Sequence, residues 1–236
     1  MIIQATLCPW PPLLVRELTG ADPVLPELRA ACAGAVAELL NDGPEEVAVV
    51  GPGTVTAPWP GHGRLNVAAF GGPRTGSGDR PVLPPAPGIG AYLLDKAGYG
   101  GERLIWSVSA DEPVAGCRKL GADLAGRDAR TALLVIGDGS ARRGPRAPGH
   151  FDQRAAAFDA AVERAVRAGD TRALLDVDPA LARELMATGR PAWQVLAGAL
   201  ESAAPLSAAV RYAGDPLGVA YLVATLRPSL AGRSHV

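Results

Sequence analysis

The alternation of two kinds of apolar segment constrains the fold of this chain more than any other feature. Four short apolar runs have the length of buried strands, and segments with apolar residues at helical spacing lie between them. The runs are residues 2–8, 46–50, 104–109 and 131–136. Such alternation is typical of proteins in which helices cover a parallel sheet. We therefore predict an α/β fold whose central β-sheet is mostly parallel or mixed, with helices on both faces.

Acidic residues, prolines and glycines place the ends of the predicted helices, because these residues are common at helix starts and stops. We predict helices from Asp22-Pro23 to Asn41, from Asp111 to residue 124, from Asp152 to Gly169, from Asp178 to Gly189 and from Pro191 to residue 199. Two further strands, residues 208–212 and 219–226, close the chain. Residues 71–90 are rich in Gly and Pro, so we predict a loop there.

Length and composition indicate one globular unit. The chain has 236 residues, of which 48% are hydrophobic, and a net charge of −1. We predict a single domain over residues 1–228 and a flexible tail over residues 229–236. So small a charge would not attract nucleic acid or an anionic membrane, and no apolar run reaches the roughly 18 residues of a membrane helix. Three separated cysteines and the absence of a signal peptide predict a cytoplasmic protein.

The loops that follow the predicted strands are the candidate binding region, because ligands of open α/β sheets usually bind beyond the carboxyl ends of the strands. These loops contain neither a GxxxxGK[ST] P-loop nor a GxSxG nucleophile elbow. Gly51-Pro52-Gly53 follows a strand but lacks the third glycine of a dinucleotide fingerprint. We therefore expect neither a nucleotide site of these types nor an α/β-hydrolase.

Histidine, the commonest metal ligand, is scarce in this sequence. The chain has His62, His150 and His235, and none of them belongs to an HxH, HxxxH or HxxE pattern. We interpret His62 and His150 as surface residues of loops and predict no dedicated transition-metal site.

Five short segments form a further sequence pattern when they are taken together in their order along the chain. They are Cys8-Pro9-Trp10-Pro11-Pro12-Leu13-Leu14-Val15, Val49-Val50-Gly51-Pro52-Gly53, Gly137-Asp138-Gly139-Ser140-Ala141-Arg142, Phe151-Asp152 with Phe158-Asp159, and Glu184-Leu185-Met186-Ala187-Thr188-Gly189. In this order they resemble the PHPPLL, strand-Pro-His, Gly-Asp-x-Ser-His-Arg, aspartate-rich helix and Glu-x-x-x-Cys-Gly motifs of the class III extradiol ring-cleavage dioxygenase superfamily. That superfamily includes protocatechuate-type catalytic subunits and Memo-like proteins. The resemblance spans almost the whole chain and implies an extradiol dioxygenase-like fold.

The resemblance also implies which positions would carry the family's chemistry. The family holds Fe(II) with two histidines and a carboxylate and uses a further histidine as acid or base. By position, Trp10 and Gly53 replace the two ligand histidines, Ala141 replaces the acid/base, and Glu184 keeps the carboxylate. Neither indole nor glycine can bind a metal through its side chain, and one carboxylate cannot retain Fe(II). We therefore predict no cofactor and the loss of ring cleavage.

The position of these motifs implies a pocket that binds a small molecule or a partner protein. Trp10 would stack on a planar ligand there or fill the space of the metal. The predicted pocket residues are Trp10, Pro52, Gly53, Asp138, Ser140, Ala141, Arg142 and Asp152. The resemblance further suggests a homodimer.

Two alternatives stay open at the level of sequence. In the first, the protein is an active non-haem iron dioxygenase for a catechol-like substrate, with His62 and His150 as ligands beside Glu184. The imidazoles of the two histidines and the carboxylate of Glu184 would then have to converge on one point, because metal–ligand bonds are about 2.0–2.2 Å long. In the second, a metal-free enzyme uses Asp138, Asp152 or Glu184 as general acid or base.

Overall fold

The computed structural model describes residues 1–19, 25–72, 79–203 and 205–229, and within these ranges seven strands form one sheet. The strands are β1 (Ile2–Cys8), β2 (Glu46–Gly53), β3 (Ala57–Trp59), β4 (Glu102–Ser109), β5 (Thr131–Ile136), β6 (Leu206–Gly214) and β7 (Tyr221–Pro228). The helices are α1 (Arg16–Thr19), α2 (Pro26–Asn41), α3 (Pro85–Lys96), α4 (Val114–Ala125), α5 (Arg154–Ala168), α6 (Thr171–Leu175), α7 (Pro179–Glu184) and α8 (Arg190–Leu200). Short 3-10 helices occur at Pro12–Leu14, Val67–Phe70 and Glu201–Ala203.

The strands follow the order β3-β4-β2-β5-β1-β7-β6 across the sheet. Strands β4, β2, β5 and β1 are parallel, whereas β3 is antiparallel to β4, and β7 is antiparallel to both β1 and β6. The outer strand β6 has a register shift against β7 between Val210 and Tyr212. The central strands therefore end at the same edge of the sheet, where β6 also ends and β7 begins. We call this the carboxyl edge.

Helices cover both faces of the sheet. All six residues of β5 are buried, as expected for a parallel strand between two helical layers. One hydrophobic core lies between the sheet and helices α4 to α8, and the other lies between the sheet and helices α2 and α3. The predicted α/β architecture with a mixed sheet is confirmed. No described helix combines the length and the hydropathy needed to cross a lipid bilayer.

The predicted loop over residues 71–90 is wrong at its end, because α3 begins at Pro85. Prolines suit this first turn, since its N–H groups have no partner within the helix. The glycines of α3 permit close packing on the sheet: a Cβ on Gly90 would lie 2.5 Å from Cγ1 of Val49. Strand β3 precedes this segment in the chain and pairs with β4. The sequence did not predict it.

Four of the five predicted helices end within one residue of the predicted position, and one ends earlier. Helix α2 ends at Asn41, and α5 is capped by Gly169 in the left-handed conformation (φ 62°). The predicted start at Asp22-Pro23 lies outside the described residues. Helix α7 ends at Glu184 rather than at Gly189, because Met186 also has a positive φ of 56° and cannot continue a right-handed helix. The short helix α6 was not predicted.

A buried arginine joins the start of α8 to two neighbouring loops. Arg190 is only 2% exposed, and burial lowers the pKa of its guanidinium. Its Nη1 donates hydrogen bonds of 2.9 Å to the carbonyl of Glu112 and to Oε1 of Gln194, and Nη2 donates to a second carbonyl of the same loop. Gln194 in turn donates to the carbonyls of Leu175 and Val177. These bonds fix α8 against the loop before α4 and the loop after α6.

Helices α4 and α8 cross at a backbone contact between glycines. A Cβ on Gly121 would lie 2.1 Å from the carbonyl oxygen of Val195, and one on Gly198 would lie 2.3 Å from that of Arg118. The space for a side chain at Gly121 is therefore filled by the backbone of the other helix, which cannot rotate away.

We predict that Gly121→Ala destabilises the protein by about 1–3 kcal/mol, the usual cost of overpacking a core. Urea denaturation followed by circular dichroism measures this change. The control is Gly34→Ala on the exposed face of α2, where a Cβ would have no neighbouring atom within 4 Å. That substitution should stabilise by about 0.5–1 kcal/mol, since alanine is the better helix former. Equal stability of Gly121→Ala and the unmodified protein would contradict the close crossing.

Candidate functional site

The candidate site lies at the carboxyl edge, where the chain leaves β1 and β5. The N–H of Gly137 donates to the carbonyl of Cys8 at 3.0 Å, so the two strand ends remain paired up to the start of their loops. The N–H of Gly139 donates to the carbonyl of Ala220 just before β7. The segments after β1 and β5 and before β7 thus meet in one place.

Trp10 is held across these strand ends by two hydrogen bonds. Its backbone N–H donates to Oδ1 of Asp138 at 2.8 Å. Its indole Nε1 donates to Oγ1 of Thr188 at 3.0 Å, and the side chain is half-buried. The sequence prediction paired Trp10 with Asp138, and the structure brings these two residues together.

Asp138 is a partly buried carboxyl group with an altered proton affinity. Burial raises its pKa to about 7, against the opposing effect of the hydrogen bond from Trp10. Burial also raises the pKa of Tyr221, and the nearby charge of Asp138 raises it further. A carboxyl group with this pKa can donate or accept a proton, or hydrogen-bond a ligand in either form, near neutral pH.

The loop before α8 closes the site from one side through a backbone contact. The N–H of Gly189 donates to the carbonyl of Asp138 at 2.8 Å. A Cβ on Gly137 would lie 2.4 Å from Cα of Gly189, so the two chain segments touch there. Sequence reasoning missed Thr188, Gly189 and Tyr221. The only signal for the first two was their place in the Glu-x-x-x-Cys-Gly-like segment, and nothing in the sequence marked Tyr221.

Ser140 and Ala141 serve to fix the loop after β5. Ser140 is fully buried, and its N–H and hydroxyl both donate to the carboxylate of Asp159 in α5. Ala141 is buried, and its N–H donates to the carbonyl of Leu185. Arg142 accepts a hydrogen bond from the N–H of Asp152 through its carbonyl, while its own Nε is buried without a partner among the described residues.

Asp152 and Glu184 belong to a surface ion-pair group. Arg154 donates to Asp152 at 2.7 Å and to Oε2 of Glu184 at 2.7 Å. Hydrogen bonds from Arg154 lower the pKa of Asp152 to about 2, so this carboxylate stays charged at neutral pH. The Glu184 side chain is 57% exposed and none of its described contacts involves Trp10 or Asp138. Of the carboxylates predicted as candidates, Asp138 alone combines burial with a raised pKa.

The end of β2 has no room for a metal-binding side chain. Pro52 and Gly53 are its last residues and pair with Val108 and Ser109 of β4. A Cβ on Gly53 would lie 2.6 Å from Cβ of Ser107. A histidine at this position would therefore require movement of the neighbouring strand.

Among the described residues, His62 and His150 are not grouped with Glu184. No group of three or more His, Cys, Asp or Glu side chains among them is arranged to hold a metal ion. His62 is exposed and follows Gly61, which packs on the carbonyl of Arg103 near the first residue of β4, at the end of the sheet opposite to the carboxyl edge. His150 is exposed in a left-handed conformation (φ 59°). The residues at the family's positions therefore do not fit Fe(II).

The loops of the carboxyl edge also expose apolar side chains. Four apolar residues in these loops are between 42% and 61% exposed: Val55, Phe151, Met186 and Leu217.

Comparisons with known proteins identify the fold and no activity. No family model matches the chain, and no curated protein matches it. Among solved structures, the chain is similar to the uncharacterized protein JW3007 from Escherichia coli K12, with a TM-score of 0.55 and 13% sequence identity. The match covers 95% of this chain and 99% of that chain. At this identity the similarity supports the α/β architecture alone.

We predict that Asp138→Asn changes the pH dependence of stability. The pKa of Asp138 is about 7 in the folded protein, above the ordinary value of 3.8, so the folded state binds more protons than the unfolded state between these values. The stability of the unmodified protein should therefore fall as pH rises from about 4 to about 7. Since one pKa unit corresponds to about 1.4 kcal/mol, Asp138→Asn should be more stable above pH 7 by up to a few kcal/mol, and this advantage should vanish below pH 4.

The control for this experiment is Asp152→Asn, because the pKa of Asp152 is shifted in the opposite direction to that of Asp138. The pKa of Asp152 is lowered to about 2, so its stabilising contribution is present above pH 4 and is lost as pH falls from 4 towards 2. Urea denaturation between pH 2 and pH 8 measures both profiles. Parallel profiles for Asp138→Asn and the unmodified protein would show that the Asp138 carboxyl is not perturbed.

Proposed function

We propose that this chain is an iron-free member of the class III extradiol dioxygenase superfamily that binds a small planar organic molecule at the carboxyl edge, between Trp10 and Asp138. One observation carries the proposal: the indole of Trp10, which the sequence resemblance aligns with the family's first metal ligand, is fixed by hydrogen bonds to Asp138 and Thr188. Because Trp10 is held at both its backbone and its ring, it forms a preorganised wall for a ligand.

The loss of iron follows from the side chains present. The indole nitrogen carries a proton and is engaged with Thr188, so it has no lone pair for a metal. Gly53 supplies no ligand, and Glu184 is engaged by Arg154 at the surface. A facial triad for Fe(II) needs two imidazoles and a carboxylate on one side of the ion. Ring cleavage that depends on this triad is therefore excluded from the proposal.

Two groups beside Trp10 define the chemistry of the ligand. Asp138 has a pKa of about 7, so both its charged and its neutral form are available to a ligand hydroxyl. Oδ2 of Asp138 and the hydroxyl of Tyr221 form no hydrogen bond with any described residue. A phenol or catechol could stack on the indole, which contributes about 0.5–1.5 kcal/mol, and hydrogen-bond these oxygens.

The pKa of Asp138 also favours a second candidate function, which is metal-free acid–base catalysis on the bound molecule. Catalytic acids and bases work best with a pKa near the pH of the reaction, and Asp138 meets this condition. For the cellular location we propose the cytoplasm, since Cys8, Cys32 and Cys117 are free and buried thiols, as is common in a reducing compartment.

We predict that the purified protein contains far less than one iron per chain and does not cleave catechol. Elemental analysis after expression in iron-supplemented medium measures the metal, and absorbance at the wavelength of the ring-opened product measures cleavage. Stoichiometric iron together with ring cleavage would overturn the proposal.

We predict that catechol binds without turnover and that Trp10→Ala weakens this binding about threefold to tenfold, the free energy of an aromatic stack. Isothermal titration calorimetry measures the affinity independently of tryptophan fluorescence. The control is Trp59→Ala, which removes an indole from β3 at the far edge of the sheet. Equal affinity of Trp10→Ala and the unmodified protein, with both folded by circular dichroism, would contradict the role of Trp10.

A further inference from the structure

A cavity lies beside the loop after β5. It has a volume of about 180 Å³ and lies between α5, the end of β6 and the start of β7. Trp10 and Asp138 are not among the residues that line it. Its apolar wall includes Val162, Leu222 and several alanines, and its volume is slightly larger than a cavity of about 150 Å³ that accommodates benzene.

The polar part of this wall is predominantly acidic. Asp159, Glu163 and Asp215 line the cavity together with a single cationic side chain, Arg143. Arg143 is already committed to these acids, since its Nε lies 2.8 Å from Oδ2 of Asp215 and 3.7 Å from Oδ2 of Asp159. Glu163 accepts two hydrogen bonds from Arg167, both at Oε1. An anion entering the cavity would face three carboxylates and one guanidinium, whose Nε is already engaged by Asp215.

Two carboxylate oxygens remain available to a ligand. Oε2 of Glu163 and Oδ1 of Asp215 accept no hydrogen bond from any residue that the structure describes. Both side chains are partly exposed, at 35% and 42%, so the cavity is accessible from solvent. These oxygens can accept hydrogen bonds from a group that carries several N–H donors.

Trp193 of α8 contributes an indole to the wall of this cavity and is only 2% exposed as a whole residue. Its Nε1 donates no hydrogen bond to a described residue, and it is not one of the fully buried polar atoms without a partner. The N–H can therefore be reached by a small molecule. An aromatic ring in the cavity would contact this indole, and pairs of aromatic groups attract each other in stacked or edge-to-face geometry.

We propose that this cavity binds a small aromatic primary amine, with the ammonium group between Glu163 and Asp215 and the ring against Trp193. The ammonium supplies three donors to the two available oxygens, and it reduces the excess of negative charge in the lining. The apolar wall of α5 and β7 encloses the ring. Tyr221 lines this cavity as well as the site between Trp10 and Asp138, but neither Trp10 nor Asp138 belongs to the lining. The proposal does not depend on the function proposed for that site.

Titration of the full chain with benzylamine, benzyl alcohol and benzoate at pH 7, by isothermal titration calorimetry, tests the proposal. The three probes share a ring and differ in charge. Benzylamine should bind at least tenfold more tightly than the other two. Equal binding of benzyl alcohol would reduce the site to an apolar cavity, stronger binding of benzoate would reverse the inferred charge preference, and absence of benzylamine binding would refute the site.

Variants locate the binding within the cavity. Ala160→Leu should fill it, and Glu163→Gln should remove one carboxylate with little change in shape, so both should weaken benzylamine binding about threefold or more. The matched control is Ala161→Leu, an exposed neighbour on α5 that does not line the cavity. Trp10→Ala should leave benzylamine binding unchanged, which separates failure of this proposal from failure of the previous one. Unchanged affinity in both Ala160→Leu and Glu163→Gln would overturn the assignment.

Discussion

The buried guanidinium of Arg190 is the constraint on which the carboxyl edge depends. A charge removed from water is strongly unfavourable unless hydrogen bonds replace its hydration, and Arg190 obtains them from backbone carbonyls and Gln194. Those carbonyls lie on the loop before α4, and Gln194 extends the network to the loop after α6. The start of α8 is thereby fixed in position. Gly189, the residue just before Arg190, can then contact Gly137 and hold the backbone of Asp138.

Contacts within the chain fix the geometry of this site. In a metal centre, the ion itself draws strand ends and loops together through its ligands. Here the same elements are joined by hydrogen bonds from Trp10 to Asp138 and Thr188, and by the contact between two glycine-containing segments. The side chain of Trp10 fills space and provides a hydrogen-bond donor. The stability of the carboxyl edge and the ligand binding that we propose there consequently depend on the same residue.

The sequence predicted the layered fold because the spacing of hydrophobic residues differs between helices and strands. It placed Trp10 and Asp138 in one pocket because both belong to the ordered motifs. It failed at α3, where prolines that suit a helix start resembled loop residues. It also missed Tyr221, whereas it correctly interpreted His62 as a surface residue. Tyr221 reaches the site because β7 pairs antiparallel to β1, and His62 is excluded because its loop lies at the opposite end of β4. Both outcomes depend on strand order, which no local pattern encodes. The predicted homodimer stays a prediction.

The irregular outer strand β6 has a consequence for how two copies of this chain could associate. An unpaired edge strand offers a row of N–H and carbonyl groups to any passing chain. In β6 the shift between Val210 and Tyr212 interrupts this row, and Arg211 places a charge there, held by Glu38 of α2. A second copy could not extend the hydrogen-bond ladder past this point without leaving groups unpaired. Self-association through a continuous intermolecular sheet is therefore disfavoured, and so is the fibrous growth that begins in that way.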